Sequence, residues 1–438
     1  MNNLSGLHLN LLKLVVIICL HICSFQLHST VSDTFGIHPD TLSLARSNIY
    51  SKPSSYAAKD NPAGLTKLLK PSFSFSYFYT NLNLENANEA RISPASSRIV
   101  DDQYNSSKAS PIKNAIFSLG IPLLDDLAFG LTGLIPTTTL ATVYTSTKNE
   151  VRYLLYDDRS QRPEIYSSLG YRVSKYISIG AGLFYSVKAD GTIQIGMSTT
   201  DADARTLLEL KPELIPFGNL NFNFEKLTVG VFYRAPQKAR TNINYDIDFA
   251  VPVGSVPFSG GSSLVAYYDP QILGMGASFD INSKNIVHAA VRKNFWSSYT
   301  PPIIRLSGKD LESYTSGNYA FDLVKLKNSY DLSAGYELLH CNLFNRFENN
   351  FKSGVAYHES ALPDNPESLA IVDTDRFDLS AGTDFLFGQV GKILKGDLTI
   401  NLGVVYSILK KQTLAHGSQL AHVGKNIFTT AGGISFDY

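Results

Sequence analysis

From Pro71 onward the chain is written in segments of roughly ten residues in which apolar and small polar side chains alternate, the period of a strand whose two faces meet different solvents. The clearest run sets Leu398, Ile400, Leu402, Val404, Tyr406 and Ile408 against Thr399, Asn401, Gly403 and Ser407. Another sets Ile177, Ile179, Ala181, Leu183, Tyr185 and Val187 against Ser178, Gly180, Gly182 and Ser186. In a third, Ile165, Leu169, Tyr171 and Val173 oppose Glu164, Ser168, Gly170 and Arg172. In a fourth, Phe377, Leu379, Ala381 and Phe385 oppose Asp378, Ser380, Gly382 and Asp384. A helix needs a 3.6-residue period, which these runs lack. Such a chain folds either as a large soluble β-sandwich or β-helix, or as a closed barrel in a membrane.

Three features favour the barrel. Tyr and Phe number 24 and 25 and recur at strand ends, where interfacial girdles form. Connections are unequal: Ser174-Lys175 and Glu225-Lys226 are tight, whereas Asn83 to Lys113 is long. The chain stops on Phe428, Ile434, Phe436 and Tyr438 in alternation, a closing strand that resembles the signal read by barrel-assembly machinery. Charged residues make up only 17% of the chain, against about 25% on average. A mean hydropathy of -0.03 is too polar for a bundle of spanning helices. Lys+Arg and Asp+Glu both total 38, so no basic field points to nucleic acid.

The expected fold is all-β, a transmembrane antiparallel barrel of about 14 strands, the even count that bacterial single-chain barrels take. Strands are expected near 71–83, 112–122, 127–135, 164–174, 176–188, 212–224, 226–250, 264–281, 284–297, 325–339, 346–360, 374–387, 397–411 and 426–438. The stretch 137–162 stays open between strand and loop helix.

The N-terminus reads as a signal peptide. Lys13 precedes the short apolar run Leu14-Val15-Val16-Ile17-Ile18-Cys19-Leu20, and Thr30-x-Ser32 offers a cleavage site that leaves Asp33 first. Ile18 and Ile22 precede Cys19 and Cys23 where a lipoprotein needs a small residue. The mature chain then keeps Cys341 alone, which makes neither an intrachain disulfide nor a metal cluster. Residues 33–70 do not alternate and carry Pro39, Pro53 and Pro62. They are expected to hang in the periplasm or to plug a lumen wide enough to take them. The expected division is signal 1–32, hatch 33–70 and barrel 71–438.

Chemistry is sparse. HExxH, GxSxG and Walker loops are absent, and Gly388-Gln-Val-Gly391-Lys392 has the wrong spacing. Gly274-Met-Gly276 and Gly180-Ala-Gly182 read as glycines that relieve crowding at barrel bends. His416 and His422 read as solvated, and His358-Glu359 as a wet loop. No catalytic residue, metal or cofactor is expected. On the polar face, Arg172, Lys188, Arg234, Asp280, Glu337, Asp378 and Asp384 should point into the lumen. They form either a salt-bridge lattice between barrel and plug, or a site in which Arg172 and Arg234 hold the carboxylate of an apolar ligand.

Ser54-Ser-Tyr-Ala-Ala-Lys-Asp-Asn-Pro-Ala-Gly-Leu65 resembles the hatch signature of the FadL family, outer-membrane transporters of long-chain fatty acids and other hydrophobic compounds. Leu273-Gly-Met-Gly-Ala-Ser-Phe279 with Phe295-Trp-Ser-Ser-Tyr299 is similar to the family's strand pair ending in Trp-Ser-x-Tyr. Phe351-Lys-Ser-Gly-Val-Ala-Tyr357, Pro363 and Val372-Asp-Thr-Asp-Arg376-Phe-Asp-Leu-Ser-Ala-Gly382 are similar to its later hairpin. One departure is Ala45 to Pro53, where the family is usually glycine-rich.

The resemblance implies a 14-stranded barrel plugged by a hatch, with Asn61, Pro62, Ala63 and Gly64 as its gating corner and Phe35 reaching the ligand pocket. It implies passive uptake of a hydrophobic small molecule, a fatty acid or hydrocarbon, by a monomer set among outer-membrane lipopolysaccharide. The rival expectation is a structural, secretion-accessory or surface-receptor barrel with no small-molecule role.

Overall fold

The computed structural model describes residues 31–52, 54–85, 111–138, 151–156, 161–197, 202–251, 254–300, 305–307, 324–344, 347–387, 396–416 and 419–438. Most of the expected signal peptide, the long connection 86–110 and Gly388-Gln-Val-Gly391-Lys392 lie outside the described residues.

One sheet of 17 strands contains the wall. Three of its strands, Gln237–Val251, Gly254–Asp269 and Arg305–Ser307, lie beyond the wall, and fourteen make it. In chain order these are β1 (Ser72–Leu84), β2 (Ile112–Leu124), β3 (Leu127–Pro136), β4 (Glu164–Arg172), β5 (Ile177–Met197), β6 (Ala202–Asn223) and β7 (Leu227–Arg234). They continue with β8 (Ile272–Asp280), β9 (Asn285–Asn294), β10 (Ser329–Phe344), β11 (Phe347–His358), β12 (Arg376–Phe387), β13 (Asp397–His416) and β14 (Gln419–Asp437). Each pairs antiparallel with its neighbours, and β14 pairs with β1 from Ser72↔Asp437 to Leu84↔Lys425. Closure leaves no edge of unpaired backbone in the wall, the condition for crossing lipid with strands.

The alternation sorts the two faces. In β1, Phe73, Phe75, Tyr77 and Tyr79 are exposed, while Ser72, Ser74, Ser76, Phe78 and Thr80 are buried. In β13, Leu402, Val404, Tyr406 and Ile408 point out, and Asn401 and Ser407 point in. The apolar face meets lipid tails, and the polar face turns to a lumen filled by protein.

Two expected strands are corrected. Segments 226–250 and 264–281 are each broken, at Ala235-Pro236 and at Pro270-Gln271. Proline has no N–H to give a ladder, so the wall ends there: Arg234 pairs directly with Ile272, and the chain between them leaves as a separate hairpin. That hairpin lies parallel against the far end of β5, with Asp190↔Asn242 through Met197↔Phe249. β5 and β6 accordingly run longer than the alternation suggests. Within 137–162 the described regular structure is Arg152–Tyr153, which pairs parallel with Ile371–Val372 and ties two long loops together.

Residues 31–52 and 54–68 fold inside the barrel. Helix α1 (Val31–Phe35) lies at the long-loop end, beside the ends of β4, β7, β9 and β12. Helix α2 (Pro39–Ser43) is capped by His38, whose Nδ1 accepts from the Asp40 N–H, and packs on β11 to β14. Left-handed Ala45 and Arg46, at φ 48 and 64, then turn the chain. Residues 47–52 cross β7 to β10, and helix α3 (Ala57–Asp60) with the 3-10 turn Pro62–Lys67 lies against β2 to β6. The segment thus circles the inner wall before entering β1.

Candidate functional site

The Asn61-Pro62-Ala63-Gly64 corner sits on β6. Asn61 lies outside the helical region (φ -147, ψ 56), from which the following proline excludes it, and its Oδ1 accepts from the Gly64 N–H at 3.2 Å. The same oxygen accepts from the amides of Asn219 and Asn221, both at 2.7 Å, while the Ala63 N–H donates to Asn219 Oδ1 at 2.7 Å. Asn219 and Asn221 thus hold the corner to the wall, while Asn61 Nδ2 donates to the Lys52 carbonyl within the inner segment, and all four residues are buried.

Glycines make this approach possible. A Cβ on Gly180 would lie 2.3 Å from the Ala63 nitrogen, and one on Gly170 would lie 2.3 Å from the Pro62 oxygen. Gly230, Gly354 and Gly382 leave the same room for the backbone or side chains of Tyr50, Leu44 and Ser43. The expectation that Gly180 and Gly274 relieve barrel bends is corrected: each faces the inner segment, Gly274 receiving the Tyr50 ring. Sequence reasoning missed this cradle, although its signal, glycine recurring on the polar face of successive strands, was present.

Buried charge ties the inner segment to the wall at two places. At the first, Asp33 meets Arg234 Nη2 at 2.6 Å and Lys59 Nζ at 2.8 Å, and its carbonyl accepts from Arg46 and from Arg292. Burial alone would raise the Asp33 pKa, but Arg234, Lys59 and Arg292 outweigh it and hold the carboxyl well below the usual range. At the second, Asp40 pairs with Lys352 and with Lys52 (3.4 Å), and accepts from the Tyr56 hydroxyl. Lys52 reaches Glu337 at 2.7 Å, and Lys352 also meets Asp384. Oxygens of Asp40, Glu337 and Asp384 converge as a metal set would. The two lysine ammonium groups stand among them and supply the positive charge instead. Beside them, burial pushes His38 down to about 3, which agrees with its ring nitrogen accepting from the Asp40 N–H.

His358 is not in a wet loop. It is buried, with Nδ1 2.8 Å from Asp331 and Nε2 2.8 Å from Asp378, and Arg46 lies against the ring. The residue ends β11 facing inward, where ordered carboxylates of β10 and β12 flank it. Its neighbour Glu359 does face water and pairs with Lys327. His416 lies against the Pro366 carbonyl and His422 against Thr413.

Among the expected lumen charges, Glu337, Asp378 and Asp384 are buried and paired, whereas Asp280 is exposed at the short-turn rim. Lys188 is half-buried on the inward face of β5. Arg172 and Arg234 are not brought together. Arg172 ends β4 at the short-turn end, donating to the Thr66 carbonyl and lying 3.7 Å from Asp126. Arg234 ends β7 at the long-loop end, on Asp33.

Above α1 the long loops close into an apolar cluster. Val151, Tyr153 and Tyr156 pack there with Trp296, Val324 and Leu326, and with Leu362, Leu369, Ile371 and Val372. Phe35 belongs to the same cluster: its ring lies 6.3 Å from Tyr156 and 5.9 Å from the Arg376 guanidinium. The inner segment thus forms the floor under a packed apolar cluster of long-loop and wall-end residues. A cleft at this level is lined by Thr34, Tyr156, Trp296, Asp373 and Arg376.

Comparison with known proteins agrees with this architecture. The chain is similar in fold to a FadL homologue of Pseudomonas aeruginosa, with TM-score 0.61, 12% identity, 92% of this chain and 98% of that one covered. It is also similar to the toluene transporter TbuX of Ralstonia pickettii, with TM-score 0.52, 13% identity, 93% of this chain and 100% of that one covered. At such identities the likeness is one of fold. A long-chain fatty acid transport protein of Salmonella typhi is 24% identical over 183 residues, 40% of this chain and 38% of that protein's length. Residues 49–434, nearly the whole wall with the second half of the inner segment, match the family described as outer membrane protein transport protein (OMPP1/FadL/TodX), and the chain belongs to that outer-membrane family.

Proposed function

We propose that this barrel carries hydrophobic small molecules across the outer membrane without an energy source, and that residues 33–70 act as its hatch. The observation that carries the reading is the place of Phe35. Among the described residues of the hatch it is the one in the apolar loop cluster, two residues from Asp33, whose charge pairs hold the hatch to the wall. A greasy solute that enters the loops packs against Phe35 and so presses on the part of the hatch that the Asp33 pairs fix. A water-filled pore would not dissolve such a solute, whereas apolar surface binds it.

Long-chain fatty acids and monoaromatic hydrocarbons both fit this chemistry, the first by the Salmonella typhi relative and the second by the Ralstonia pickettii structure. Trp296, the single tryptophan of the chain, reports on this apolar cluster, since it is buried in it. Titrating purified protein with a panel of fatty acids and with toluene should give a saturable change in Trp296 fluorescence. Phe35→Ala should weaken it. A panel that leaves the fluorescence unchanged, in protein that also fails to speed uptake in cells, would return the chain to the structural or receptor class.

A further inference from the structure

Glu164 opens β4 at the long-loop end and is entirely shielded from water. Its Oε2 accepts from Ser32 Oγ at 2.5 Å and from the Tyr166 hydroxyl at 2.8 Å. Its Oε1 has no hydrogen-bond partner. Among the described residues no cation lies within ion-pair distance of it, and the nearby charges are already matched. Arg162 is held by Asp269, Arg234 by Asp33, and Lys59 by Asp33 and Asp60. A buried carboxylate with one bare oxygen calls for a donor, and a charged one for a cation.

The sequence places a cation at this spot. Signal cleavage after Ser32 frees an α-amine on Asp33, the residue next to the one whose hydroxyl touches Glu164. In the precursor the same nitrogen is an uncharged amide. An ammonium group has three donors, enough for both carboxylate oxygens, and removal of Ser32 opens the room it needs. We propose that Glu164 is the docking site for the α-ammonium of the mature chain, so that processing completes the charge pairing that seats the hatch. The inference concerns maturation and stands apart from the identity of the solute.

The test uses protein purified from outer membranes. N-terminal sequencing should find Asp33 first. Folded protein is then treated with an amine-acetylating reagent at neutral pH, and its peptides are weighed. The α-amine should react at least about tenfold more slowly in folded than in heat-unfolded wild type, because a paired ammonium has little free base. Glu164→Gln should restore its reactivity, and Glu164→Asp should keep part of the protection. Exposed Lys410 and Lys411 serve as internal standards whose rates should not change. Should Glu164→Gln fail to assemble, the folded-against-unfolded comparison in wild type still decides. A first residue other than Asp33 would overturn the proposal, as would an α-amine equally reactive in folded wild type and unfolded chain.

Discussion

Arg234 Nη2 lies 2.6 Å from Asp33 Oδ2, and the two side chains are only 2% and 1% exposed. One partner belongs to the wall and the other to the N-terminal segment inside it, so the pair measures how firmly that segment is held. Removing Arg234 leaves Asp33 with Lys59 as its ion-pair partner, so the cost falls below the about 3–5 kcal/mol of a buried charge left wholly unpaired. The wall keeps its ladder, because the Arg234 backbone still pairs with Ile272 and Phe217. Arg234→Ala should therefore leave a barrel that still migrates differently in SDS before and after boiling, yet leaks small polar solutes.

The same variant distinguishes two roles for Arg234. If its charge is used on Asp33, binding of a carboxylate ligand and of a neutral hydrocarbon should weaken alike. Loss confined to the carboxylate would instead make Arg234 a ligand contact. Arg172→Ala should show less of either effect, since Arg172 is partly exposed and its Asp126 partner more so.

The glycine cradle predicts a sharper contrast. A Cβ at Gly230 would sit 1.8 Å from the Tyr50 carbonyl oxygen, a contact that rigid backbone cannot relieve. At Gly432 the nearest atom is a leucine methyl at 3.6 Å, ordinary packing distance. Gly230→Ala should displace the hatch and raise leakage in a barrel that stays heat-modifiable, while Gly432→Ala should behave as wild type. Equal leakage from the two variants would show that the hatch does not depend on these close approaches.

The wall could be read from sequence because lipid imposes one rule on its strands: outward positions are predominantly apolar, from Phe73 to Ile434. The NPAG corner was legible for the same kind of reason, since proline and asparagine carry their geometry locally. The hatch contacts were not. Lys52, Lys59 and Asp40 read as ordinary polar residues of a non-periodic segment, and only the fold brings them to Glu337, Asp33 and Lys352. His358 was misjudged because burial at a strand end depends on what fills the lumen. The broken strands at Pro236 and Pro270 were within reach, had proline's missing N–H been weighed above the alternation around it.

Asp373 gives a pH dependence. It lies in the long loop between β11 and β12, accepts from the Ala361 N–H at 2.8 Å, and is pushed up to about 6 by burial. A carboxyl whose folded pKa is raised favours the folded loop while protonated, and this advantage disappears as pH rises from about 4 through 6. Hydrogen exchange across 359–375 should accordingly be slower at pH 5 than at pH 7.5. Asp373→Asn, which keeps the shape without the charge, should flatten the difference. A loop that exchanges faster at the lower pH, after correction for intrinsic rates, would reverse the sign and reject the assignment.

The last prediction concerns the corner. Asn61 Oδ1 accepts from the Gly64 N–H and from the side chains of Asn219 and Asn221. Asn61→Ala removes all three acceptances at once and leaves buried donors on both sides of the contact, at about 1–3 kcal/mol for each unsatisfied group. Pro62→Ala loosens only the unfolded reference and the local φ, about 0.4–1 kcal/mol. If the corner gates passage, uptake of a hydrophobe and leakage of a small polar solute should both change, more for Asn61→Ala than for Pro62→Ala. Both proteins should remain heat-modifiable, because neither residue is part of the wall ladder. Correctly assembled variants with unaltered uptake and leakage would leave the corner as a turn that seats the chain on β6 and controls nothing.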